Sequence, residues 1–60
     1  MSDQTHCLKF KDLTTNYVWY GTKNYTQAVA EDAASRLNAK FANTEVKAVL
    51  VTEREKAQEE

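Results

Sequence analysis

The stretch Tyr25–Phe41, YTQAVAEDAASRLNAKF, decides the fold. Ala30, Ala33, Ala34, Leu37 and Phe41 recur at helical spacing, with Val29 beside them. That pattern predicts an amphipathic helix of about four turns. Asn24 is a candidate cap, with Gln27 three residues on in a capping-box position, and Thr26 competes for the same role. Glu31 and Asp32 fall early, Arg36 and Lys40 late, as the helix dipole favours. Asp32 and Arg36 also stand at i,i+4. Asn43 suits the turn that ends the segment.

Upstream the period changes. Gly21–Thr22–Lys23–Asn24 breaks the pattern, and Tyr17–Val18–Trp19–Tyr20 before it is a run of aromatic and β-branched residues that favours strand. Between Thr5 and Lys11 the chain alternates: His6, Leu8 and Phe10 on one parity, Cys7, Lys9 and Lys11 on the other. This predicts a strand with Leu8 and Phe10 inward and the lysines outward. Asp12 and Asn16 supply turn formers between the two strands, so a hairpin joins them.

Downstream, Glu45–Val51 reads as a third strand, apolar on both faces at its centre. Thr52 and Glu55 have capping-box spacing. The tail 52–60 is therefore expected to be frayed or a short helix, and frayed is favoured because only Ala57 is apolar within it.

The predicted fold is α+β: a ββαβ domain over 1–51 with a charged C-terminal tail. One helix lies on one face of a three-stranded, mainly antiparallel sheet, in order 2-1-3. A parallel pairing of the second and third strands is the other topology, with a right-handed crossover.

A chain of 60 residues holds one small core, and domains of this size often lean on disulfides, metals or partners. One cysteine permits no internal disulfide, and with one histidine no zinc set of Cys and His forms within the chain. No cofactor is implied. The net charge is −1; residues 1–51 carry six bases and five acids, so the body is nearly neutral and lacks a strong basic stripe. No apolar run approaches a membrane span, and the polar start 1–4 does not resemble a signal peptide. Cytoplasmic residence is expected, consistent with a lone unpaired cysteine.

Catalytic chemistry is not expected. His6 and Cys7 are strand neighbours and point to opposite faces. Glu31 and Asp32 diverge by about 100° around the helix. No phosphate loop or nucleophile turn is present.

The informative feature is surplus apolar surface. A lone helix covers one sheet face, yet Tyr17 and Trp19 go to one side and Val18 and Tyr20 to the other. The uncovered face should keep exposed rings, flanked by lysines, as an interaction surface. Tyr17 and Trp19 are the candidate anchors, with Tyr20 replacing them if the parity is reversed, and Lys9 and Lys11 orienting the partner. The expected function is a small non-enzymatic protein-binding module, an adaptor or inhibitor. A homodimer pairing through the same sheet surface and a single-stranded nucleic-acid binder are the alternatives. The ββαβ order and size are similar in a general way to small accessory proteins, including host-directed inhibitors made by bacteriophages, a likeness of fold rather than of motif.

Overall fold

A computed structural model describes residues 4–58. The polar start 1–3 and the last two glutamates of the tail, Glu59 and Glu60, lie outside the described residues. The elements run β1 (His6–Asp12), β2 (Val18–Tyr20), α1 (Gln27–Lys40), β3 (Thr44–Leu50) and α2 (Val51–Gln58). The sheet order is β2-β1-β3, antiparallel throughout.

β1 is central because it has something to bury on both sides. Its even positions face α1: Leu8 joins Ala30, Ala34 and Val46 in the core, with Phe10, Tyr25, Ala33, Leu37 and Ala48 packed around them. Small side chains let the helix approach closely, and Ala30 is fully buried. Val29 and Phe41, counted with the helix's apolar face from spacing, are instead about half exposed.

α1 begins later than Tyr25, with Thr26 as its cap: the Thr26 hydroxyl accepts from the Val29 amide at 3.4 Å. Tyr25 is withheld from the helix because it exchanges two backbone hydrogen bonds with His6, at 2.9 and 2.7 Å. The later start puts Glu31 and Asp32 beyond the first turn, where the dipole has faded. Their partners are side chains instead: Glu31 accepts from Gln27 at 3.3 Å and Asp32 pairs with Arg36 at 3.0 Å.

The hairpin turn is set by side chains. One oxygen of Asp12 accepts from the amides of Thr14 and Thr15, and Asn16 takes a left-handed backbone with φ 62°. The turn closes with the Asp12 amide donating to the Tyr17 carbonyl at 2.8 Å. Phe10 is thereby placed opposite Trp19.

Of the two forms the tail could take, the structure shows the helix, and the expected fraying is corrected. α2 follows β3 without a loop and folds back over the face opposite α1, packing on β1 and β3. Polar contacts hold it rather than an apolar stripe. The Val51 amide donates to the Thr5 carbonyl at 2.7 Å, Arg54 donates to the Gly21 carbonyl at 2.9 Å, and Glu53 lies 3.9 Å from Lys9. Cys7 is fully buried on this side. The sheet is thus packed with both helices, α1 on one face and α2 against β1 and β3, in a flat molecule 12 Å across in its shortest Cα dimension.

Candidate functional site

The aromatic cluster arises from register. Trp19 pairs with Phe10 on the face that carries α1. Their rings stack nearly parallel, 3° apart in plane, with centroids 5.3 Å apart. Tyr17 stacks on Trp19 at 5.9 Å. The three rings form a ledge beside α1 with Trp19 in the middle, and two of them stay open: Tyr17 is 66% exposed and Trp19 38%.

Two expectations about this surface are corrected. The face that a lone helix would leave bare is partly closed by α2. Tyr17 and Trp19 also lie on the α1 face, not on the far one. They are exposed because α1 packs chiefly over β3, next over β1, and leaves the β2 side open.

The lysines are on the other face. Lys9 sits opposite Tyr20 and Lys47, and Lys11 opposite Val18 and Glu45. Lys9, Lys11, Glu45 and Lys47 line a shallow hollow beside α2. Lys47 and Glu45 are 4.0 Å apart. Lys9 and Lys11 therefore do not flank the Tyr17–Trp19 pair; of the candidate aromatics, only half-buried Tyr20 shares their face. Nucleic-acid stacking that joins Trp19 to Lys9 and Lys11 on one surface has no such surface here.

Sequence reading missed two contributors. Phe10 was assigned to the core, yet it is half-buried and forms the base of the ring stack. Ala57 of α2 joins Tyr17, Val18, Trp19 and Tyr20 in lining a cleft along β2. The β1–β2 register would have exposed the role of Phe10; nothing in the tail's sequence signals that of Ala57.

The outer edge of β2 is unpaired. Asp12 donates to Tyr17 and Gly21 donates to Leu8, so even positions of β1 turn their backbone groups toward β2. By alternation, Trp19 turns its amide and carbonyl to β1, while Val18 and Tyr20 turn theirs outward. Among the described residues no hydrogen bond meets those outward groups.

Among the described residues the Cys7 thiol is the group whose titration the fold displaces. Burial pushes its thiol up, the Arg54 guanidinium opposes this, and the Glu53 carboxylate adds to it. A buried thiol kept protonated is a poor nucleophile. Among the described residues no three His, Cys, Asp or Glu side chains come together as a metal site, and no helix is long and apolar enough to cross a membrane. No family model matches the chain, and the searches of curated proteins and of solved structures found no match.

Proposed function

We propose that this chain is a small non-enzymatic protein-binding module, an adaptor or inhibitor, that presents the Tyr17–Trp19 ledge to a protein partner. The supporting observation is the stacked trio Phe10–Trp19–Tyr17, in which Tyr17 and the central Trp19 are open to solvent. Stacking fixes the rings before binding, so little side-chain entropy is lost on contact. Tyr and Trp are also the residue types that most often carry binding energy. Tyr17 and Trp19 are the anchors, and Tyr20 lies outside the ledge. Lys9 and Lys11, on the far face, act at most through the long-range field that steers encounter.

The test compares capture of protein partners by the wild type, Tyr17→Ala, Trp19→Ala and the control Val29→Ser. Val29 is equally open, at 52% exposed, but lies outside the ledge. Loss of a captured protein with Trp19→Ala and Tyr17→Ala, and its retention with Val29→Ser, is expected. Equal capture by all four proteins would refute the assignment. Circular dichroism must show the variants folded.

A further inference from the structure

We propose that the hollow formed by Lys9, Lys11 and Lys47 binds a single phosphate monoester group. It lies on the face opposite the Tyr17–Trp19 ledge and goes beyond the docking reading.

Register brings these lysines together. Lys9 stands opposite Lys47 in the β1–β3 ladder, and Lys11 follows two residues after Lys9, so all three project from one face. Like charges placed directly across a ladder destabilise it. The neighbouring carboxylates offset this only in part. Glu45 stands opposite Lys11 and lies 4.0 Å from the Lys47 nitrogen, so one acid serves two bases. Glu53 of α2 lies 3.9 Å from Lys9. Both distances exceed hydrogen-bond length. Among the described residues no acceptor takes a hydrogen bond from any of the three ammonium groups, each of which carries three donors. Three cations against two carboxylates leave surplus positive charge here, on a chain whose net charge is −1.

The hollow has room for an oxyanion. Lys9, Lys11, Glu45 and Lys47 line about 130 Å³, several times what one water needs. The Lys9 side chain is only 34% exposed, so its charge acts partly shielded from water, where attraction is stronger. A phosphate monoester suits this set. Its three terminal oxygens can each take one ammonium, whereas a carboxylate offers two. It carries about −1.5 to −2 charge at pH 7, against one charge for a nucleic-acid phosphate, whose binding draws on many contacts in a row. These lysines form one cluster rather than a track. The lining is charged throughout, so the hollow recognises the phosphate and not the molecule that bears it. A free monoester and a phosphorylated side chain share that chemistry.

Amide chemical shifts of the isotopically labelled chain, at constant ionic strength, read the binding. Methyl phosphate is expected to shift the Lys9, Lys11 and Lys47 amides saturably at millimolar concentration, and dimethyl phosphate to need at least about tenfold more. Lowering the pH well below about 6 returns the monoester's second proton and weakens its binding several-fold. Lys47→Gln weakens methyl phosphate by about fivefold, and Lys40→Gln, on α1, changes it by less than about twofold. Glu45→Gln strengthens it, and Glu31→Gln on α1 does not. A short alanine peptide with a central phosphoserine binds more tightly than methyl phosphate if the group arrives on a protein, and equally if it arrives free. Absence of saturable shifts at tens of millimolar overturns the proposal, as do equal losses for Lys47→Gln and Lys40→Gln. So does a single-stranded oligonucleotide without terminal phosphates that binds more tightly than the phosphoserine peptide, since the lysines would then serve a nucleic-acid backbone.

Discussion

Asn38 on α1 completes the hydrogen bonding of Val46 on β3, giving one bond and taking one across eight residues of chain. An amide side chain matches a strand's exposed backbone because it carries both a donor and an acceptor. Both bonds are partly buried, so their loss leaves Val46 polar groups unmet. Asn38→Ala is expected to cost about 1–2 kcal/mol in urea unfolding. Asn38→Asp should cost at least as much, since it sets a carboxylate against the Val46 carbonyl. A change of only a few tenths for both variants would show that the clamp is dispensable.

α2 is held to the sheet by Arg54 more than by its exposed ion pair. The Arg54–Gly21 bond is partly buried at 2.9 Å, whereas Lys9 and Glu53 are 3.9 Å apart and well solvated. Charged hydrogen bonds contribute about 1.5–3 kcal/mol, and surface pairs usually under about 1 kcal/mol. Since Cys7 is buried on the α2 side, its modification by a thiol reagent measures how often α2 lifts. Arg54→Ala is expected to speed labelling by about tenfold or more, and Lys9→Ala to leave it within about twofold. Equal rates for the two variants would remove Arg54 as the fastener.

Burial raises the Cys7 thiol above its ordinary value of 9.0 in the folded chain. The folded state therefore keeps this proton at a pH where the unfolded chain has begun to lose it. The associated stability is complete below the unfolded value and disappears as pH climbs through the folded one. Urea midpoints measured from roughly pH 8 to 10 should fall more steeply for the wild type than for Cys7→Ala. Parallel profiles would mean that the thiol does not contribute.

The strands, the main helix and the hairpin turn were readable from local chemistry, whereas the order β2-β1-β3 was one of two topologies that the sequence allowed. Alanine spacing marked α1, alternation marked β1, and Asp12 with Asn16 marked the turn. What could not be read depends on contacts distant in sequence. Tyr25 leaves the helix because His6 takes its backbone. α2 holds because Arg54 finds a carbonyl thirty-three residues away. The parity of β2 was hidden for a similar reason. Whether Trp19 shares a face with Leu8 or with Lys9 depends on how the turn closes between Asp12 and Tyr17, and residue types alone do not count that step. The residue types of Tyr17 and Trp19 point to exposed rings, but not to the α1 face on which they lie. Their exposure comes from the sideways placement of α1.

The sheet also carries a natural pair of spectroscopic and chemical handles, one on each side. The sole tryptophan lies among the stacked rings beside α1, and the sole cysteine is enclosed beneath α2. Emission from the indole and access to the sulfur can therefore be followed in the same unlabelled sample. Events on the two sides of this thin body can be timed separately without introducing a foreign dye.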